Sequence, residues 1–542
     1  LWAVVVFLFF AVLIWRDLRE ESVWVIRSLG LILLGGFLLR YFLSREAVFT
    51  AWTYTRLVPL TKALLGGGIF RWLNAESGAY TYITDLNFQV NFYFAVITPL
   101  AFYAHTKALL KDVRVAVAAA ALLAFYPAHI AFSRSDVFFM QSLAVSSLTF
   151  ATLYQALRSD SRRWAITCQI FLLPLCMTTF VIRPLNAIFY PLFIATIFFT
   201  AGPQVSQRRR WFVALLVSVG MAYNIVFNLF ARRERVEEGL GIRTLTNAAE
   251  MAISTRLNTL INFEVTPVLF LILALAGTVE IFRRNNKLIG CYILGWLAAF
   301  YVAHSYVWPY ATMMQVRYHL HLAVPFLMLA ASAVPWLMRG PKILPVGAAL
   351  LCAASPFLHL EMVQDRDFGI QREFDFLTSL RSQIPEDCTV LEFTGVPGSV
   401  GGRAPRLDRV ARRLYGGEWE SKWDLAYFST PWGEGERPKT KTGRELYTQE
   451  ELVQKYADPS LCTYLYTGNI CWYFEKFAIP PQMVCAELKE KFLLEKVASE
   501  RFINRTYDPD DERSGMSSEA KRSWAQRREE IPLTLYRILG AR

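Results

Sequence analysis

Apolar runs of about 20 residues recur through the first two thirds of the chain, and basic residues fill every second gap between them. Backbone groups in hydrocarbon must find partners within their own segment, so such runs fold as membrane-spanning α-helices. We read about twelve of them, over roughly 1–15, 23–44, 88–110, 113–132, 137–157, 163–181, 184–201, 211–231, 265–282, 288–307, 318–338 and 343–358. Residues 1–15 lack the basic region and cleavage site of a signal peptide and are read as the first span. Arg16 and Arg19, Lys107, Lys111 and Arg114, Arg158, Arg162 and Arg163, Arg208 to Arg210, Arg283, Arg284 and Lys287, and Arg339 and Lys342 form the alternating basic set. The positive-inside bias assigns that set to the cytoplasm. One miscounted helix would break the alternation.

Composition agrees. Mean hydropathy is +0.29, with 54% hydrophobic residues. The net charge of +12 is concentrated before residue 359, where 30 basic residues face 15 acidic ones; beyond it 27 face 30. A basic excess confined to the membrane part reads as orientation signal and lipid contact, not nucleic-acid binding. Two domains follow: a helical membrane domain over 1–358 and an extracytoplasmic α/β domain over 359–542. The localisation expected is multi-pass, in a bacterial cytoplasmic membrane. In the tail, 367–383 and 483–498 read as helices, and 388–394, 461–466 and 533–539 as strands. Stretches 395–445 and 507–530 read as long loops. Cys388, Cys462, Cys471 and Cys485 lie in this outer part and are candidates for at least one disulfide, with Cys471 and Cys485 singled out by the Pro480-Pro481 bend between them. The spacing of a CxxC zinc site is absent, and no metal ligands are assigned.

The outer side receives loop 45–87, where Ala51 to Leu65 has the pattern of an interfacial helix ended by Gly66-Gly67-Gly68. It also receives the turn Ser133-Arg134-Ser135-Asp136, which joins two apolar runs with His129 one turn earlier. Charges held that close to hydrocarbon are costly unless paired, hydrated or used. A solvated turn with a local ion pair is the bland account; a site for a charged substrate is the sharper one. Glu46, Asp85 and Asp136 stand at outer helix mouths, as do Arg134, Arg183 and Arg317, with His319 beside the last. Sugar transfer from a polyprenyl phosphate needs a carboxylate to deprotonate the acceptor. It also needs cations, from arginine, lysine or a divalent metal, to stabilise the departing phosphate.

These segments resemble the GT-C-type integral membrane glycosyltransferases, and are similar to the protein O-mannosyltransferases and lipid A aminoarabinose transferases, over roughly residues 30–340. Pro127 through Asp136 is similar to the family's Arg-bearing turn before a helix. Ser44-Arg45-Glu46-Ala47 resembles the acidic motif that opens its first large outer loop, and Arg317-Tyr318 with Pro325 resembles its Arg-Tyr helix. Where the family usually has two adjacent acids, Arg45 precedes Glu46, which leaves the base open between Glu46 and Asp85. The resemblance implies a polyprenyl-phosphate sugar as donor, bound by Arg134, Arg183, Arg317 and His319, with Glu46, Asp85 and Asp136 as the catalytic acids. Membrane lipids and a larger membrane protein complex are the partners it allows. The competing reading is a GT-C-like scaffold subunit without catalysis.

Overall fold

A computed structural model describes residues 2–44, 83–134, 139–182, 184–231, 266–284, 286–307 and 316–363 of the helical part. Beyond it, residues 376, 379–380, 383–385, 388–393, 423–426, 449–468, 489–504 and 529–542 are described. The helices are α1 (Trp2–Arg19), α2 (Val23–Leu43), α3 (Ile83–Leu110), α4 (Val113–Ala124), α5 (Pro127–Ala131), α6 (Phe139–Arg158), α7 (Arg162–Ile182), α8 (Phe189–Ala195), α9 (Gln207–Ala231), α10 (Val268–Arg283), α11 (Lys287–Val307), α12 (Val316–Ala331) and α13 (Ile343–Leu358). Each of the twelve apolar segments contains helix among its described residues. Among the described residues, three stretches are long and apolar enough to cross a membrane: Val23–Leu43, Arg162–Phe180 and Leu320–Leu337.

Two segments expected as single helices are subdivided. The run 113–132 breaks at Tyr126 because proline disfavours the helical region for the residue before it; Tyr126 is extended, and Pro127 opens α5. The run 184–201 starts as a 3₁₀ turn at Pro184–Ile188, continues as α8 and widens to a π turn at Thr196–Thr200.

Side chains tie the bundle together at two ends. At the first end, Lys107 on α3 meets Asp17 at 2.9 Å and Glu21 at 2.6 Å. The Arg16 guanidinium lies 4.9 Å from the ring centre of Trp164 at the start of α7. Arg158 donates to the Ala108 carbonyl at 2.7 Å and to those of Thr200 and Ala201. Arg209 donates to Ala156 O and Arg210 to Ile197 O, each at 2.9 Å. These acceptors lie at or near helix C-termini, where carbonyls lack helical partners and the dipole favours cations. Glu280, buried, accepts from Arg284 at 2.8 Å and Arg339 at 2.6 Å; Arg284 also reaches Asp112, the N-cap of α4. Burial works against the Arg284 charge, but its bonds to Glu280 and Asp112 outweigh that and hold it above its ordinary range. All six basic gaps therefore meet at one end of the bundle.

The second end carries polar but mostly uncharged contacts. Asn91 near the start of α3 accepts from Gln141 near the start of α6 at 3.4 Å, so α3 and α6 run parallel between the two ends. Tyr126 meets Thr266, just before α10, at 2.9 Å, and Ser355 near the end of α13 donates to Phe125 O at 3.0 Å. The turn Leu360–Val363 packs on α5. The chain thus leaves the bundle for its C-terminal part at this second end.

Outward faces carry Leu31, Ile170, Leu215, Ile272, Leu275 and Leu350, all more than half exposed, while Thr98, Ser142, Ser147, Thr149 and Thr152 are buried. An apolar exterior around a partly polar interior is the distribution a lipid solvent selects.

The C-terminal part holds a five-stranded mixed sheet in the order β2-β1-β3-β5-β4. Its strands are β1 (Thr389–Phe393), β2 (Trp423–Ala426), β3 (Thr463–Thr467), β4 (Phe492–Asn504) and β5 (Glu529–Ala541), with helix α14 (Gln449–Tyr456) between β2 and β3. β1 runs parallel to β2 and β3, whereas β5 is antiparallel to β3 and β4. Two expectations are corrected. The segment read as a helix over 483–498 becomes β4 from Phe492 onward, because pairing along β5 from Phe492↔Ala541 to Asn504↔Glu529 outweighs its helix-like charge spacing. The stretch read as loop over 395–445 contributes β2, a short edge strand whose partner is 30-odd residues earlier. Cys388 and Cys462, immediately before β1 and β3, are joined by a disulfide. Cys471 and Cys485 lie outside the described residues.

Candidate functional site

The second end of the bundle gathers the segments on which the sequence places chemistry. Arg134 follows α5 and is half-buried, its guanidinium 4.9 Å from the ring centre of Phe92 on α3 and 5.9 Å from that of Tyr41 on α2. Aromatic faces attract a cation without neutralising it, so Arg134 keeps its positive charge at this mouth. Ser133, one residue earlier, donates to Ile130 O at 2.7 Å and to Ser44 Oγ at 3.2 Å. Ser44 ends α2 and directly precedes Arg45-Glu46.

A second polar group lies beside this one. Ser142 on α6 meets His321 Nε2 at 2.9 Å and accepts from Asn186 Nδ2 at 2.8 Å; Asn186 also donates to Thr179 O at 2.6 Å. His321 stacks on Phe300, with ring centres 5.7 Å apart. Gln141 Oε1 and Asn186 Oδ1 are buried without a hydrogen-bond partner among the described residues. Two unsatisfied acceptors at this depth are costly and mark places where a donor group or water fits.

Beneath both lies a fully buried arginine, Arg40 on α2. It donates to Gly36 O at 2.8 Å, to Ala124 O at 3.0 Å and to His129 Nδ1 at 2.5 Å. Its Nε and His129 Nε2 have no partner among the described residues.

Among the described residues, no group of three or more His, Cys, Asp or Glu is placed to hold a metal ion. Neither a family model nor a curated protein matches the chain in sequence. Solved structures do match. The chain is similar to an archaeal oligosaccharyltransferase. The apo crystal structure of the Archaeoglobus fulgidus oligosaccharyltransferase aligns at a TM-score of 0.48 and 12% identity, over 88% of this chain and 73% of that one. The same organism's enzyme in complex with an inhibitory peptide and a dolichol-phosphate aligns at 0.43 and 12%, over 87% and 69%. Its complex with Zn and sulfate aligns at 0.44 and 14%, over 87% and 68%.

Of the seven residues assigned to catalysis or phosphate binding in sequence, Arg134 is the one whose side chain is described. Asp85 lies in the first turn of α3, two turns before Phe92, roughly 10 Å along the axis. Arg317 and His319 lie in the first turns of α12, and Arg317 is one turn before His321. Glu46, Asp136 and Arg183, the interfacial helix of loop 45–87 and the second cysteine pair lie outside the described residues. Sequence reasoning gave no role to Arg40, Asn91, Gln141, Ser142, Asn186 or His321, and used Ser44 only as part of a motif. The readable signal was polar side chains confined to the same ends of otherwise apolar runs.

Proposed function

We propose that this chain is a GT-C-like glycosyltransferase that moves a sugar from a polyprenyl-phosphate donor to an acceptor at the membrane face opposite its basic gaps. The observation that carries the reading is the interlocking of the segments that flank every candidate residue. Ser44 beside Glu46 bonds Ser133 beside Arg134 and Asp136. Asn91 downstream of Asp85 bonds Gln141 downstream of Asp136. Asn186 after Arg183 and His321 after Arg317 share Ser142. We read the three acids and three arginines, far apart in sequence, as converging on this end of the bundle.

The chemistry assigns a role to each. One of Glu46 and Asp85 takes the proton from the acceptor hydroxyl as it attacks the anomeric carbon. Arg134, Arg183 and Arg317, with His319, bind the phosphate and stabilise its charge as the sugar–phosphate bond breaks. Asp136 belongs to the same site and orients this machinery. The polyprenyl tail keeps the donor in the membrane, so a site at the lipid boundary meets it by lateral diffusion. By the positive-inside bias this face is extracytoplasmic, and residues 359–542 lie on the same side, within a bacterial cytoplasmic membrane.

Turnover tests the reading. The full chain in lipid nanodiscs, given a panel of radiolabelled polyprenyl-phosphate sugars and a cell-envelope extract as acceptor, is expected to consume one of them. Glu46→Gln or Asp85→Asn is expected to slow consumption by about 10²–10⁴. Consumption no faster than in empty nanodiscs across the panel contradicts enzymatic transfer.

A further inference from the structure

Arg40 carries a buried charge with no carboxylate against it among the described residues. What it has instead is a set of acceptors on three elements. Gly36 O belongs to α2, Ala124 O ends α4, and His129 Nδ1 lies on α5. A guanidinium only donates, so Nδ1 is the acceptor and His129 carries its proton on Nε2. Gly36 leaves the room: a Cβ there would stand 3.0 Å from Arg40 Nη1. The two elements that Arg40 joins are those whose ends carry Ser44 and Ser133, bonded at 3.2 Å. Ser133 is followed by Arg134.

We propose that Arg40 and His129 are positioning residues that latch the break between α4 and α5 onto α2, and so fix the Arg134 turn where the donor phosphate binds. The inference rests on the donor-phosphate reading given above. The latch acts through geometry. Arg40 sits one turn below the mouth, with Nη1 and Nη2 both donating to protein acceptors, and the forked guanidinium holds three acceptors that a lysine ammonium cannot span.

The probe is polyprenyl monophosphate, titrated into the full-length protein in nanodiscs by thermophoresis. His129→Leu removes the acceptor, and Arg40→Lys keeps the charge while losing the fork; both are expected to weaken binding on the order of 10- to 100-fold. His129→Asn, whose side-chain oxygen can stand near the Nδ1 position, is expected to stay within about threefold of wild type. A Ser44→Cys/Ser133→Cys cross-link, closed by oxidation, restores the geometry without the latch and is expected to recover binding in both weakened variants. Arg40→Lys carries the test where His129→Leu does not fold. Wild-type binding in Arg40→Lys overturns the latch. So does a loss that the cross-link leaves uncorrected, since the effect of Arg40 would then not run through the position of the Arg134 turn. Arg134→Ala separates the two levels: undiminished binding there overturns the donor-phosphate reading itself, whereas weakened binding there with an intact Arg40→Lys overturns the latch alone.

Discussion

The guanidinium of Arg40 fits because position 36 has no side chain. An added Cβ would also stand 3.4 Å from Ala124 Cβ, so side chains of α2 and α4 crowd it from both flanks. Replacing glycine in a helix gains about 1 kcal/mol in propensity, which works against the crowding. A larger residue decides the sign. Gly36→Leu is expected to destabilise by about 1–3 kcal/mol through overpacking and a displaced Arg40, read as a lower thermal midpoint in detergent. An unchanged midpoint would contradict the tight fit. Arg134 was visible in sequence because a charged turn between two apolar runs stands out. Arg40 was not, because a lone arginine one turn from a helix end reads as a side chain snorkelling to the surface. Its partners are 84 and 89 residues away, and nothing local announces them.

Between elements, α10 packs closely on the α12 segment at Gly277. A Cβ on Gly277 would overlap the Leu329 carbonyl oxygen at 1.8 Å and press the Ala333 nitrogen at 2.9 Å. Small residues at helix crossings are how backbones come together where lipid supplies no hydrophobic drive. Gly277→Leu is therefore expected to force α10 from α12 and to cost about 2–4 kcal/mol or abolish folding, measured by detergent-solubilised yield and thermal midpoint. Wild-type values would contradict the packing. In the sheet, the disulfide between Cys388 and Cys462 closes a separation of 74 residues. Removing it with Cys388→Ala/Cys462→Ala is expected to lower stability by about 4 kcal/mol, checked by denaturant unfolding; an unchanged midpoint would contradict that constraint. Element type was legible where apolar periodicity was long, and the helix ends came within a few residues. It failed at β4, where alternate charges mimic an exposed helix and only the distant β5 decides the conformation. It also failed at β2, whose four residues are too few to show a period.

For the molecule as a whole, the alternation of basic gaps and the clustering of those gaps at one end are independent statements that agree. They lead to a topology test. Arg208→Cys, at the basic end, is expected to resist an impermeant maleimide in intact cells and react after lysis. Gln454→Cys, exposed in α14, is expected to react in intact cells. The reverse pattern would invert the assignment. The two-ended design was legible in sequence. The depth of the polar groups at the second end was not, because serine, threonine and asparagine inside apolar runs count as helix residues until packing shows what they face. The central claim is that this second end binds a polyprenyl phosphate through Arg134. Native mass spectrometry of the full chain, with polyprenyl monophosphate added in lipid nanodiscs, tests it most directly. The account predicts a one-to-one adduct on the wild-type protein that is lost from Arg134→Ala. No adduct on the wild type, or equal occupancy in the two proteins, would contradict it.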